Sequence, residues 1–421
     1  MIENCRKTCQ MYPCKVRNKP FAANDRLAGH ATDVDTKKFA MHFMRDKAAG
    51  RSFYRRDPSL GTCIVPHQKV RSTPWLYVSS IGLGIEGGGT NEVVDFAIEQ
   101  ATGTAILKGI NVIDTSIVAR NQRSEMSIGR VLRTLSHLNI SRPSLFISSK
   151  AGFIPGNPFH DGLVKWSEQL RRKNLDAAAF IGNYCIAPSC LQKSLEMSLS
   201  NLGVSTLDAL FLDTPAEAML GSVARTDFFS RIKGAFLFLE EKRKQGLIQT
   251  YGISVNDCLF RHPQDPLHLQ LQDLVNIAES AGGSNHGFRY VQIPVSAGLP
   301  SSWAALHQRI DGIDGRTFTA PEAAARLRLG VLGKDPLIQG GLVYNATIFQ
   351  IMKELNPLIV DESSFAKELT NFARSTPYIT SSLTGAVDLP AVTKQLELVQ
   401  EAGWSSKLLG IVQNQLEHAL R

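Results

Sequence analysis

The chain has 421 residues, of which 43% are hydrophobic and 20% are charged, and its formal net charge is +8. This composition is typical of a globular protein and excludes an intrinsically disordered chain. No apolar run approaches the roughly 18 residues of a membrane-spanning helix, and no secretory signal is predicted at the N-terminus.

The positive charge is concentrated near the N-terminus. Residues 1–75 hold 15 Lys and Arg residues against 6 Asp and Glu residues, whereas the rest of the chain is close to neutral. We interpret residues 1–74 as a basic extension that serves for targeting or contact, with a solvated tail as the simpler alternative. Its charge suits RNA, an acidic protein surface or import into an organelle, so we expect a mitochondrial location, with the cytoplasm as the alternative.

The cysteines predict neither a disulfide framework nor a metal site. Their number is odd and most are far apart, which suits a reducing compartment. Three of them are close together, but their spacing matches no standard zinc pair. The seven cysteines are Cys5, Cys9, Cys14, Cys63, Cys185, Cys190 and Cys258.

Apolar strands and amphipathic helices alternate from Trp75 onward. The strands are predicted at 76–83, 111–113, 144–148, 207–212, 250–254, 290–293, 330–332 and 378–382. The helices are predicted at 90–107, 124–138, 188–202, 228–245, 267–280, 319–328, 361–374 and 389–400. Eight strand–helix units in succession predict an α/β fold, a (β/α)8 TIM barrel over residues 75–403. An insertion at 151–188 interrupts it, and residues 404–421 form a helical tail.

A doubly wound sheet is the competing fold. Gly82, Gly84 and Gly87 match the spacing of a dinucleotide-binding turn, and Asp114 could then hold a ribose. The match alone is weak in a chain with 33 glycines. Asp114 lies too far beyond the glycines, and eight strand–helix units exceed what this alternative explains. We therefore favour the barrel.

The stretch 109–129 carries the most informative motif. A strand ends in Asp114-Thr-Ser, and Ser124-Glu125 opens the next helix. This pattern resembles the signature of the aldo/keto reductases. Further similar segments are 79–84, 147–150, 202–208, 212–215, 251–254 and 291–294. The resemblance covers about residues 72–403 and is closest to a branch with a long insertion after strand three.

The resemblance implies a catalytic set of aspartate, tyrosine, lysine and histidine, in which the tyrosine donates a proton to a carbonyl. Asp114 matches the aspartate and Lys150 the lysine, but Ala119 stands in the tyrosine position and Asp213 in the histidine position. A methyl group cannot donate a proton, and general acid catalysis contributes roughly 10²–10⁴ in rate.

Two interpretations of the remaining cluster stay open. Lys150 is retained because buried acids need a partner, since breaking such a pair costs roughly 3–5 kcal/mol. Alternatively, Asp213 stays protonated beside Asp114 and acts as the acid. Tyr184 or His160 from the insertion could also reach the site, although no pattern places them there.

The positions that the resemblance assigns to a nicotinamide cofactor have also diverged. Val295 replaces a stacking tyrosine, and Lys394-Gln395 replaces a Glu-Asn pair that meets adenine. Residues still compatible with weak cofactor contact are Ser254, Asn256, Gln292, Thr384, Gly385 and Lys394. We therefore expect no cofactor, or NADPH if the protein is active.

The sequence thus predicts an aldo/keto reductase-like barrel that has lost carbonyl reduction. Its expected role is that of a structural or binding component of a larger assembly, such as an organellar ribonucleoprotein. Residues 1–74 and 151–188 would contact protein or RNA partners. The alternatives are an NADP-dependent oxidoreductase with a rebuilt acid and a regulatory subunit that senses nicotinamide.

Overall fold

In a computed structural model, eight parallel strands close into one barrel in the order β10-β3-β4-β5-β6-β7-β8-β9. The structure describes residues 20–44, 54–56, 76–157, 179–385 and 389–420. The strands are β1 (Tyr54–Arg56), β2 (Tyr77–Ser79), β3 (Ile81–Ile85), β4 (Val112–Thr115), β5 (Phe146–Ala151), β6 (Leu207–Asp213), β7 (Ile248–Ser254), β8 (Phe288–Pro294), β9 (Gly330–Lys334) and β10 (Ser381–Gly385). The α/β barrel predicted from the sequence is therefore confirmed.

Helices surround the barrel and follow most of its strands. The described α-helices are α1 (Asp33–Phe43), α2 (Glu92–Leu107), α3 (Arg123–Ser136), α4 (Pro188–Leu202), α5 (Pro215–Met219), α6 (Arg225–Lys244), α7 (Leu271–Gly282), α8 (Ser301–Ala304), α9 (Ala320–Arg326), α10 (Ala346–Leu355), α11 (Glu362–Ser375), α12 (Leu389–Leu396) and α13 (Ser406–Ala419). Within the described ranges, no helix is both long and apolar enough to cross a membrane.

The barrel interior explains the glycine at position 82. A Cβ on Gly82 would lie 2.8 Å from the side chain of Leu383 and 2.9 Å from that of Val112. Gly82 is paired with Leu383 inside the closed sheet, so it serves close packing in the barrel and not a dinucleotide turn. The doubly wound alternative is therefore excluded.

The strand predicted at 76–83 is in fact two strands. β2 pairs antiparallel with β1, and β3 belongs to the barrel. Asn111 marks the division, because its side chain accepts from the N–H of Ser79 at 2.8 Å and donates to the carbonyl of Tyr77 at 2.7 Å. These bonds fix β2 beneath the barrel, and the chain turns at Ser80 before entering it.

The last strand also differs from its prediction. It begins at Ser381 and not at residue 378, because Tyr378 has a left-handed backbone (φ 68°) and is exposed. The helix α10 was not predicted at all. It packs with α13 and α11 in a second hydrophobic cluster beside the barrel.

The described parts of the basic extension pack on the amino-terminal end of the barrel. The N–H of Ala31 donates to Asp208 at 2.6 Å, and the Tyr54 hydroxyl donates to the carbonyl of Gly109 at 2.6 Å. Asp208, near the start of β6, also accepts from Arg142 at 2.8 Å and from the N–H of Ile147 at 2.7 Å. One buried carboxylate therefore joins the extension to β5 and β6.

Replacing Asp208 by alanine is expected to lower the free energy of unfolding by about 3–5 kcal/mol, because the buried Arg142 would lose its partner. Urea denaturation followed by circular dichroism measures this loss. Asp227→Ala, at an exposed position, is the matched control and should change the free energy of unfolding by less than about 0.5 kcal/mol. Equal effects of the two substitutions would contradict the central place given to Asp208.

Candidate functional site

Charged side chains gather at the carboxyl-terminal end of the barrel, here called the mouth. The carboxyl ends of parallel strands meet there, and TIM barrels place their chemistry at this end. Five strands supply the charged residues of the mouth: Glu86 directly after β3, Asp114 in β4, Lys150 in β5, Asp213 at the end of β6 and Lys334 at the end of β9.

Lys150 is at the centre of this group, and its side chain is only 2% exposed. Its ammonium donates to Asp114 at 2.6 Å, to the backbone carbonyl of Thr115 at 3.0 Å and to Glu86. A lysine ammonium has three N–H donors. All of them are therefore used by groups of the protein itself.

The electrostatics keep Lys150 charged. Burial alone would lower the pKa of its ammonium, but the carboxylates of Asp114, Glu86 and Asp213 raise that pKa well above its usual range. A protonated amine is not a nucleophile, so this environment disfavours Schiff-base chemistry at Lys150.

Asp114 is held as firmly as its partner. It is 1% exposed and accepts from the Ser148 hydroxyl at 2.6 Å and from the Gln292 amide at 2.7 Å. The other amide atom of Gln292, its oxygen, is buried without a hydrogen-bond partner. Gln292 therefore supports the ionic pair and leaves one acceptor unsatisfied.

The loop after β4 has an unusual backbone. Arg120, Asn121 and Gln122 all have left-handed conformations, with φ of 50°, 53° and 76°. Such conformations cost roughly 1–2 kcal/mol for a residue that is not glycine. Ala119, directly before them, is 6% exposed and brings only a methyl group.

Buried contacts hold this strained loop in place. Arg120 donates to Asp95 on α2 at 2.7 Å, and Gln122 donates to the carbonyl of Gly156 at 2.7 Å. Arg120 therefore binds α2, and the loop contributes no acid to the mouth.

Asp213 has a different environment from Asp114. Burial, followed by the nearby negative charge of Glu86, raises the pKa of Asp213 to about 6, against the opposing effect of Lys150 and Lys334. At pH 7 only about a tenth of such a group is protonated. Among the described residues, Lys150 forms ion pairs with Glu86 and Asp114 and none with Asp213.

A cavity of about 1010 Å³ opens beside this group, towards β9 and β10. Asn256, Thr384, Gly385 and Lys394 line it, as expected if they contact a cofactor. Ser254 and Gln292 are fully buried instead. Ser254 accepts from Lys334 at 3.0 Å, and Lys394 donates to Glu397 at 3.0 Å.

The described lining of this cavity does not fit an anionic dinucleotide. It carries four carboxylates, Glu86, Asp114, Asp335 and Glu362, but only two ammonium groups, Lys334 and Lys394. Val295 is fully buried against Gly333 and offers no stacking surface. A polyphosphate would meet net negative charge here, which disfavours its binding.

Sequence reasoning missed Glu86 and Lys334. Glu86 lies three residues and Lys334 two residues beyond the end of a predicted strand, which is the signal that could have identified them. His160 and the cysteines Cys5, Cys9 and Cys14 lie outside the described residues. Within the described ranges, no group of three or more His, Cys, Asp or Glu side chains could hold a metal ion.

The fold is a TIM barrel with a group of charged side chains at its mouth. Residues 80–259 match the model of the aldo/keto reductase family. This match, over less than half of the chain, confirms the resemblance found in the sequence. No curated protein matches the chain.

Solved structures support the same fold at low sequence identity. An aldo/keto reductase from Klebsiella pneumoniae in complex with NADP and acetate is 17% identical, with a TM-score of 0.53 over 82% of this chain and 92% of that one. An aldo-keto reductase from Bacillus halodurans (holo form) is 15% identical, with a TM-score of 0.55 over 87% and 96%. The glycerol dehydrogenase of Gluconobacter oxydans is 16% identical, with a TM-score of 0.55 over 86% and 97%.

Replacing Lys150 by methionine is expected to cost about 3–5 kcal/mol at pH 7, because Asp114 would stay buried without its ion pair. Burial would then raise the pKa of Asp114 with only the hydrogen bond from Ser148 opposing it, so the folded state would favour its protonated form. The sign follows from linkage: this stabilisation is present at low pH and is lost as the pH rises above about 4. The variant should therefore be less stable at pH 7 than at pH 5.

A double substitution is the control for this prediction. Lys150→Met combined with Asp114→Asn removes both charges and should recover at least half of the lost free energy of unfolding. Chemical denaturation at both pH values measures it. If the double variant is no more stable than the single one, the ion pair does not hold the mouth together.

Proposed function

We propose that this barrel no longer reduces carbonyls by the route of its family and instead acts as a binding component of a larger assembly. The observation that carries the proposal is the closed hydrogen bonding of Lys150. Its three donors go to Asp114, Glu86 and Thr115, and Ala119 brings only a methyl group nearby. No donor remains to activate a phenol, and no phenol stands beside it in the β4 loop.

The acidic cavity lining supports the same proposal, because it disfavours the anionic cofactor that the fold family implies. Glu86 has a part in both effects. It engages the ammonium of Lys150 and adds a negative charge to the cavity. The Lys150 ammonium keeps the pKa of Glu86 low, so this charge is present at neutral pH.

The second candidate is an NADP-dependent oxidoreductase in which Asp213 supplies the proton. The raised pKa of Asp213, about 6, is the specific observation that favours it. The structures of neighbours with bound NADP, such as the Klebsiella pneumoniae protein, agree with a nicotinamide in that fold. A carboxyl with this pKa is mostly ionised at pH 7, which makes it the weaker candidate.

Purified protein with NADPH and 4-nitrobenzaldehyde is expected to show no cofactor oxidation above background at pH 7, because all three donors of Lys150 are already used by Asp114, Glu86 and Thr115. Lys150→Met should leave that background unchanged. An ordinary rate that Lys150→Met abolishes would refute the proposal. A rate that rises below about pH 6 and disappears in Asp213→Asn would establish the second candidate instead.

The proposed contacts with partners lie in residues 1–74 and in the insertion 151–188. Supporting this role, the net positive charge of the chain is concentrated in the N-terminal extension. The described part of that extension packs on the end of the barrel opposite the mouth. A mitochondrial ribonucleoprotein would provide an anionic surface of this kind.

Fluorescence anisotropy with a labelled single-stranded RNA tests this role of the extension. Replacing Lys15, Arg17 and Lys19 by serine should weaken binding and reduce its salt dependence, because fewer counterions are released. Removing the exposed charges of Lys193 and Lys353 is the control and should change neither the binding nor its salt dependence. RNA binding that is unchanged by the N-terminal substitutions would show that the extension does not have this role.

A further inference from the structure

A second polar cluster lies on the β5–β7 side of the mouth. The end of the insertion, residues 179–187, folds back on the loop after β5, where the N–H of Cys185 donates to the carbonyl of Gly152 at 2.8 Å. This contact brings the Tyr184 ring directly over Gly152. A Cβ added to Gly152 would lie 2.9 Å from the phenol oxygen.

The phenol is therefore a neighbour of Asp213. The register of the barrel pairs Ala151 of β5 with Leu212 of β6, so the residues that follow, Gly152 and Asp213, are side by side. The electrostatics agree with this placement. Burial raises the pKa of Tyr184 well above its usual range, and the charge of Asp213 raises it further.

Glu217 on α5 adds a third group with hydrogen-bond acceptor oxygens to this cluster. One of its carboxylate oxygens accepts from the N–H of Asn256 at 2.7 Å and from that of Asp257 at 3.2 Å. Its other oxygen is buried and has no hydrogen-bond partner. The charge of Glu217 also raises the pKa of Tyr184, which indicates that the two side chains are close.

The hydroxyl of Tyr184 is likewise without a hydrogen-bond partner, although the residue is only 1% exposed. A buried polar atom that lacks a partner costs roughly 1–3 kcal/mol. The unpartnered phenol of Tyr184, and the unpartnered oxygen of Glu217 on the helix that follows Asp213, mark a place where a ligand with hydrogen-bond donors would be stabilised. Asp213 and Glu217 are both partly exposed, so the cluster is open on that side.

The charge balance of the mouth indicates the sign of the charge that such a ligand carries. Two ammonium groups, Lys150 and Lys334, stand among four carboxylates, Glu86, Asp114, Asp213 and Glu217. Two negative charges are therefore uncompensated within the described residues. A cation would be attracted, and an anion or a carbonyl oxygen would not.

We propose that Asp213, Glu217 and Tyr184 together bind the primary ammonium group of a small amine. A primary ammonium has three N–H donors, which matches the carboxylate of Asp213, the unpartnered oxygen of Glu217 and the unpartnered hydroxyl of Tyr184. A quaternary ammonium has the charge but no N–H, and an alcohol has a donor but no charge. This inference rests on the proposed function, because it gives the ligand class of a mouth that binds and does not reduce.

The proposal has a pH signature because Asp213 titrates near neutrality. The charged and titratable groups that face Asp213 are Glu86, Asp114, Lys150, Lys334, Tyr184 and Glu217. Burial, with the charges of Glu86 and Asp114 and against those of Lys150 and Lys334, raises the pKa of Asp213 to about 6. Protonation below that pH removes one of the two uncompensated charges, so amine affinity should fall about tenfold between about pH 7.5 and pH 5.

Isothermal titration of the full chain with putrescine tests the proposal. 1,4-Butanediol and tetramethylammonium are matched probes, since the first lacks the charge and the second lacks the N–H donors. Putrescine should bind at least tenfold more tightly than either. Equal binding of the three probes, no binding of putrescine, or tighter binding of Mg²⁺ would each overturn the proposal.

Three variants locate the site. Asp213→Asn and Glu217→Gln should each weaken putrescine binding about tenfold, and Tyr184→Phe should weaken it several-fold. Tyr184→Phe removes only an unpartnered hydroxyl, so its melting temperature should not fall, which separates lost binding from lost folding. The exposed Glu354→Gln is the control and should bind normally, and unchanged affinity in Asp213→Asn would exclude this site.

The same preparations separate this inference from the proposed function. Carbonyl reduction by NADPH would refute the proposed function whether or not putrescine binds. Failure of putrescine to bind a protein that does not reduce carbonyls would refute only the ammonium site.

Discussion

The ammonium of Lys150 organises the mouth of this barrel. It joins β5 to Asp114 and Thr115 of β4 and to Glu86 after β3, and Asp114 extends the network to Gln292 of β8. An ammonium in a buried site needs an acceptor for each N–H, and here the protein supplies them all. Because all three N–H groups of Lys150 donate to the protein itself, none is left to donate to a substrate.

The hydrogen bond to Glu86 completes the hydrogen bonding of the Lys150 ammonium. In the chemistry that the family resemblance implies, a phenol stands beside the lysine and is made more acidic by it. Here the carboxylate of Glu86 accepts one hydrogen bond from Lys150, and Ala119 stands at the position of the phenol. Because Glu86 is 54% exposed, its bond to Lys150 closes the network from the solvent side. In our proposal, the cluster keeps the structural part of the site that the resemblance implies, without its proton source.

Charge distinguishes the two sides of the mouth. The cavity towards β9 and β10 has a lining that repels phosphates, and the β5–β7 side gathers Asp213, Glu217 and the unpartnered phenol of Tyr184. Both features favour cations over the anions and carbonyl oxygens that a reductase handles. The described parts of the N-terminal extension pack at the opposite end of the barrel.

The sequence predicted the barrel from its strand–helix alternation, and the Asp114–Lys150 pair from the resemblance of both segments to the aldo/keto reductases. Strand–helix alternation shows in hydrophobic periodicity, and the Asp114 motif ends a strand. Glu86 was missed since its partner is 64 residues away and no local pattern reveals the bond. Tyr184 could not be located because the insertion lacks periodicity, so only the packing on Gly152 determines where its ring lies.

A single-turnover experiment tests the central claim most directly. Protein in large excess over NADPH is mixed with an aldehyde in a stopped-flow instrument, and cofactor absorbance is followed, so slow product release cannot conceal the chemical step. The closed hydrogen bonding of Lys150 predicts no loss of absorbance beyond the rate without protein. A protein-dependent oxidation of NADPH that Lys150→Met removes would contradict it.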